Sequence, residues 1–193
     1  HREGTPFVEV VFHTIGKRTS YVVPDNVGGA YQLVKHLIGL GHTRIGTIWS
    51  GPLNSPVHDR LQGYRIALEE AGLPFEEELV IRLDKHLLFI DDPEKMGLIL
   101  SVHPPPTAVF CQNDVLALAF LKVCRERHVR VPEDLAVVGF DDLQPARYAH
   151  PSLTTVTYDQ RLLGMRAAEI LLDQGKQPTG EIHQEIIGTQ LVV

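Results

Sequence analysis

Cysteine is scarce. The 193-residue chain holds two, Cys111 and Cys124, too few for a disulfide framework, and both lie in apolar stretches where buried free thiols are the simpler reading. No CxxC occurs, no cysteine–histidine cluster has zinc spacing, and none of the ten histidines forms HExxH, so no metal centre is expected. No apolar run approaches the roughly 20 residues that span a membrane. With 44% apolar and 22% charged residues, the chain is not a disordered one. Positive charge is also short: 18 Lys and Arg against 24 Asp and Glu leave −6, so the surface repels a phosphate backbone and this chain is not itself a nucleic-acid binder by bulk charge. The first residues lack a charged-then-apolar signal pattern, which together with reduced cysteines points to the cytoplasm. GxGxxG, GxxxxGK[ST] and GxSxG are all missing. That excludes a phosphate cradle and a nucleophile elbow, and no other catalytic constellation or cofactor motif takes their place.

What the chain does have is alternation. Short apolar runs at 6–12, 21–24, 44–49, 79–83, 107–111, 135–140, 154–156 and within 184–193 read as strands. Between them lie amphipathic segments. One follows Asp25 and Asn26, which offer an N-cap, and carries Val27, Ala30, Tyr31, Val34, Leu37 and Ile38 on one stripe. Others span about 56–71, 93–101, 115–127 and 159–172. Strands that are apolar throughout, each followed by an amphipathic helix, predict an α/β fold with doubly wound parallel sheets covered on both faces. At this length about 70% of the unfolded surface can be buried, enough for one domain or two small lobes.

In such sheets the ligand sits outside the carboxyl ends of the strands, where strand order reverses. The polar residues just after strands are therefore the candidates: the loop 50–60, Asp84-Lys85-His86, Gln112-Asn113-Asp114 and Asp141-Asp142. Each has a structural competitor. Asp114 reads as the cap of the helix at 115, leaving Asn113 freer to face a ligand, and one of Asp141 and Asp142 can cap a turn. Asp91-Asp92 reads as a helix start, His36 and His42 as structural, and Trp49 as core. Arg60 falls on the first turn of a helix, where a cation gains nothing from the macrodipole, so a ligand explains it better than helix stability does.

An ordered series of motifs adds to this. Asp25-Asn26-Val27-Gly28-Gly29-Ala30, His36 to Gly46, Arg60-Leu61-Gln62-Gly63-Tyr64, Pro106 to Phe110 with Asn113-Asp114, Val131 to Asp134, Val138 to Asp142, and Pro151 to Val156 together resemble the effector-binding domain of the lactose/galactose-repressor family of transcriptional regulators, from about Thr5 to the C-terminus. The resemblance implies a periplasmic-binding-protein-like fold of two α/β lobes joined by three crossovers. It also implies a small effector in the cleft, usually a sugar or sugar derivative, homodimerisation, and operator DNA read by a separate N-terminal helix-turn-helix domain. On this chain, residues 1–24 would be the end of the N-terminal lobe and 25–155 the C-terminal lobe. Residues 156–193 would return to the N-terminal lobe and supply the final crossover strand. The resemblance places Arg60, Asn113 and Asp141 at effector-contacting positions, with Tyr158 at a hinge position that can face the cleft.

The chemistry of those residue types agrees: a carboxylate accepts two hydroxyls, a guanidinium donates a fork and an amide does both. The function expected is effector sensing by a DNA-binding regulator, and the alternative is a sugar-binding protein of a transport system. Truncating Asp141 or Arg60 is expected to open no core cavity. Two departures stand out. The helix-turn-helix and the first strand–helix units of the N-terminal lobe are not in this sequence, so the chain is expected to be a piece of a longer polypeptide with an exposed apolar stripe from Leu162 to Ile170. His128 also stands where the family has a glycine after a helix, so that turn is expected to hold a side chain in a strained conformation.

Overall fold

The computed structural model describes residues 6–51, 54–83, 92–176 and 181–193. The longest apolar runs become the centre of a four-stranded parallel sheet made of β3 (Ile45–Ser50), β4 (Val80–Leu83), β5 (Ala108–Cys111) and β6 (Ala136–Val138), in the order β4-β3-β5-β6. Ile48 stands beside Ile81 on one side and Cys111 on the other. Alternate residues of β5 serve opposite faces: Ala108 and Phe110 join a core with Leu33, Leu37, Tyr64 and Phe140, while Val109 and Cys111 join one with Ile48, Ile99, Leu116 and Phe120. Two covered faces explain why the sequence shows continuous apolar runs rather than alternation. The first face carries α1 (Asn26–Gly39) and α2 (Ser55–Glu70). The second carries α3 (Pro93–Gly97), which continues as a 3-10 turn over Leu98–Ser101, and α4 (Asp114–Glu126). Both thiols are buried and free.

α1 and α2 lie unusually close, and one residue permits it. A Cβ on Gly63 would fall inside van der Waals contact of the Val27 carbonyl oxygen and 2.9 Å from Tyr31 N. The Asp25 side chain caps α1 by accepting from Gly28 N at 2.8 Å, and Asn26 is left for another task.

A second, three-stranded parallel sheet runs β1 (Glu9–Val10), β2 (Tyr21–Pro24), β8 (Gln184–Ile187) in the order β1-β2-β8. α6 (Gln160–Lys176) covers one face, burying Leu163, Ala167 and Ile170 on Val22 and Ile187, while Arg166 Nε bonds both Glu185 oxygens at 2.9 Å. The stripe expected to be exposed is therefore packed. Apolar exposure falls instead on Met165, Leu171, Leu172 and, on the opposite face of the sheet, Ile186. The strand expected at 6–12 narrows to Glu9–Val10, because β2 is the partner it pairs with and the register covers two residues.

The final apolar run splits at Gly188. β8 stays parallel to β2, whereas β9 (Thr189–Val192) turns antiparallel to β7 (Thr155–Tyr158). β7 and β9 form a two-stranded sheet packed on the core that holds Phe110 and Phe140, so the chain passes between this unit and the β1-β2-β8 sheet three times: from β2 to α1, from β7 to α6, and from β8 to β9. A short α5 (Gln144–Arg147) fills the turn-rich segment before β7. His128 adopts φ 58°, a left-handed conformation that is strained for a residue with a side chain. Among the described residues no helix is long and apolar enough to cross a membrane.

Candidate functional site

Strand order reverses between β3 and β5, since β4 was added on one side of β3 and β5 on the other. The carboxyl ends of these strands open a crevice there. β3 delivers Ser50, the turn after β5 delivers Gln112 and Asn113, and the turn after β6 delivers Asp141. That last turn is forced: Asp141 and Asp142 have φ 109° and 50° in succession, a conformation L-residues rarely hold without support. The support comes from β7, where Asp141 N donates to Val156 O at 3.0 Å and Asp142 N to Thr155 Oγ1 at 3.3 Å.

The two aspartates have different jobs. Asp142 takes Arg147 on both oxygens, at 3.1 and 2.6 Å, and Arg147 holds its carboxyl below the usual range. Asp141 Oδ1 accepts from Arg60 Nη2 at 3.0 Å. Burial pushes its pKa up against the pull of that guanidinium.

Arg60 sits in the second turn of α2, not the first. Asn54 caps the helix by accepting from Val57 N at 3.2 Å. The Arg60 side chain is buried, with Nε on Asn26 Oδ1 at 2.8 Å, Nη1 on the Gln112 carbonyl, and its plane 3.7 Å above the Phe140 ring. The expectation that a ligand explains this cation better than helix stability does left out a third holder: α1, the β5 turn and Asp141 already hold it. The expectation that its truncation would open no cavity falls with it.

The helix cap also differs from the sequence reading. Asn113, not Asp114, caps α4, its Oδ1 accepting from Leu116 N at 2.9 Å. Asp114 is fully buried and accepts from Leu143 N at 2.7 Å and Thr155 Oγ1 at 2.6 Å. Burial pushes its pKa up to about 6 despite those bonds, and the charges of Asp141 and Asp142 add to the rise. Asn113 keeps its amide nitrogen without a partner among the described residues.

Arg60, Asn113, Asp141 and Tyr158 all line one cavity of about 260 Å³, with Ser50, Asn54, Pro56, Val57 and Gln112 on the same side and Val11 and Phe12 opposite. Tyr158 closes β7, half-buried, and burial followed by the Asp141 charge raises its phenol pKa. Val11 and Phe12 had no sequence signal beyond a strand-like run. In the structure they leave β1, Val11 at φ 72°, and both are largely exposed. Asp84-Lys85-His86, Asp91 and residues 52–53 of the 50–60 loop lie outside the described residues. Asp92 caps α3 by accepting from Lys95 N at 3.0 Å, His42 bonds Thr107 Oγ1 at 3.1 Å, and Trp49 is buried beneath Arg82.

A parallel sheet with a cavity of this size at its reversal point, tied by three chain crossings to a second sheet, is the plan of a two-unit α/β domain with its crevice at the strand ends. The chain belongs to the periplasmic binding protein-like domain family, which matches residues 34–193. It is 39% identical over 178 residues to the HTH-type transcriptional regulator CelR of Thermobifida fusca, covering 92% of this chain and 52% of that protein. It is 38% identical over 151 residues to the HTH-type transcriptional repressor CytR of Escherichia coli strain K12, covering 78% and 43%. A solved transcriptional regulator CelR–cellobiose complex superposes with a TM-score of 0.85 at 37% identity, over 96% of this chain and 56% of that one. The resemblance to the lactose/galactose-repressor regulators therefore holds, and the chain spans about half the length of the curated relatives it matches.

Proposed function

We propose that this chain is the effector-sensing part of a cytoplasmic DNA-binding transcriptional regulator. Its ligand is a sugar or sugar derivative, and it acts without catalysis, cofactor or metal. The observation that carries the reading is the convergence of Arg60, Asn113, Asp141 and Tyr158, from four separate elements, on one cavity between the two sheets. Support comes from relatives named as HTH-type regulators, one of them solved with cellobiose. No relative named here supports the transport alternative. Residues 1–24 would be the end of the N-terminal lobe and 25–155 the C-terminal lobe, with 156–193 returning to the N-terminal lobe and supplying the final crossover strand, which pairs with β7. The parent protein would be a homodimer that reads its operator through an N-terminal helix-turn-helix. Effector favours the closed arrangement of the lobes, the dimer interface repacks, and operator affinity changes by population shift.

The test uses Asp141→Asn in the full-length polypeptide. Binding to DNA from the region upstream of its own gene is followed by fluorescence anisotropy, with a panel of neutral mono- and disaccharides that includes cellobiose. The amide keeps the acceptor for Arg60 but removes the charge. Ligand affinity should drop about 30-fold, equivalent to about 2 kcal/mol, while DNA binding without sugar survives. A variant that responds to sugar like the parent would place the effector elsewhere.

A further inference from the structure

Two side chains lining the cavity carry buried polar atoms with no hydrogen-bond partner among the described residues: Ser50 Oγ and Gln112 Oε1. They sit at the carboxyl ends of adjacent strands, Ser50 closing β3 and Gln112 following β5, where Gln112 N donates at 3.0 Å to Ile48 O. The Gln112 backbone is engaged on both sides, because its carbonyl also accepts from Arg60 Nη1. Its side chain has only a long bond, from Nε2 to Val57 O at 3.4 Å. Gln112 is 2% exposed and Ser50 7%. Oε1 is therefore a buried acceptor that faces no donor among the described residues. Such a group is unfavourable in a folded protein unless something outside the fold completes it.

The charge balance of the cavity narrows what that something is. Among the described lining residues the ionic groups are Arg60 and Asp141, and they pair with each other at 3.0 Å. Arg60 Nε and Nη1 are engaged by Asn26 and Gln112. A phosphate needs unpaired cations or a cluster of free N–H groups. Here it would meet the Asp141 carboxylate and the Gln112 acceptor instead. A hydroxyl group meets what it needs, since it donates to Oε1 and trades either role with Ser50 Oγ.

We propose that Gln112 and Ser50 form the specificity-determining floor of this cavity, which reads a hydroxyl of an uncharged polyol and rejects its phosphorylated counterpart. This rests on the effector reading above and adds to it the charge class of the ligand and the two residues that select it. The test is calorimetric titration of glucose, cellobiose and glucose 6-phosphate into the full-length polypeptide and its Gln112→Leu, Ser50→Ala and Asp141→Asn variants, with a sugar-free thermal melt of each. At least one neutral sugar binds the parent and glucose 6-phosphate does not. Gln112→Leu weakens the neutral sugar roughly tenfold or more, and Ser50→Ala by a smaller factor.

The Gln112→Leu melt holds or rises, because an apolar group replaces an uncompleted acceptor. A fall in that melt overturns the proposal, since the amide is then a structural bond. Undiminished sugar binding by Gln112→Leu also overturns it, as does tighter binding of glucose 6-phosphate than of either neutral sugar, or no binding of either. Loss of sugar binding in Asp141→Asn with full binding in Gln112→Leu removes the floor and leaves the effector site standing. Full binding in Asp141→Asn removes the site itself.

Discussion

Asp114 shows how a single residue ties the site to the frame. Its carboxylate joins the start of α4 to Leu143 after the strained Asp141–Asp142 turn and to Thr155 on β7. Burial lifts its pKa from 3.8 to about 6, so the native state favours the protonated form more than the unfolded chain does. The resulting stabilisation is fully present below pH 3.8 and is lost as pH rises through about 6, a swing of about 3 kcal/mol for two pKa units. Asp114→Asn keeps an acceptor for Leu143 N and gains a donor toward Thr155. It should flatten that pH dependence and melt higher than the parent at pH 7.5. Denaturant titrations of both proteins at pH 4 and 7.5 measure the difference, and parallel pH profiles would refute the assignment. Arg60 behaves in the opposite way. Arg60→Ala leaves Asp141 as a largely buried charge without its partner and uncovers Phe140, so it should destabilise by about 3–5 kcal/mol. A melting temperature like the parent's would show that the guanidinium serves the ligand alone.

At the scale of elements, what the sequence revealed and what it hid follow from how each is stabilised. β3 and β5 were legible because both faces are buried, which makes most positions apolar and leaves polar Ser50 to the carboxyl end of β3. Strain in the turn at His128 was legible because the resemblance marked a glycine position, and it takes the form of a left-handed backbone. The α4 cap was not, since asparagine and aspartate cap equally well and Asp114 is drawn inward by Thr155, 41 residues away. The internal holders of Arg60 were equally hidden: Asn26 comes from the preceding helix and the Gln112 carbonyl from a strand end, neither visible as a pattern. Val11 and Phe12 reach the cavity only because β1 ends early.

The α1–α2 contact joins fold and site, because Asn26 at the start of α1 holds Arg60 on α2. Gly63→Ala drives a Cβ against the Val27 backbone carbonyl, which no rotamer change relieves. The helices must separate, and overpacking of this kind destabilises by about 2 kcal/mol after a gain of roughly 1 kcal/mol in helix propensity. Chemical denaturation reads the loss, and sugar affinity should fall with it as Arg60 loosens. An unchanged stability would mean the helices are free to slide apart.

For the whole molecule, the question is what holds the two sheets at the spacing where the cavity exists. The three chain crossings fix the connection, but direct contact across the mouth is slight. His13, next to Phe12, donates its backbone N–H to Ser55 Oγ at 2.8 Å. Its ring lies 4.0 Å from Asp59 and stacks on Tyr21 with centroids 4.6 Å apart. Ser55 is the first residue of α2, so this contact carries the β1 segment onto the helix that holds Arg60. A ligand that touches Val11 and Phe12 on one side and Asn113 and Asp141 on the other binds fully only in the closed arrangement, and its apparent affinity scales with the closed fraction. Ser55→Ala leaves the His13 N–H without its acceptor and weakens closure by about 1 kcal/mol. Neutral-sugar affinity should therefore fall roughly 5-fold, with no change at any group lining the cavity. Small-angle scattering of the sugar-free variant should show a larger radius of gyration than the parent, and saturating sugar should erase that difference. If affinity and radius both match the parent, the spacing is set by the crossings alone and His13 has no part in closure.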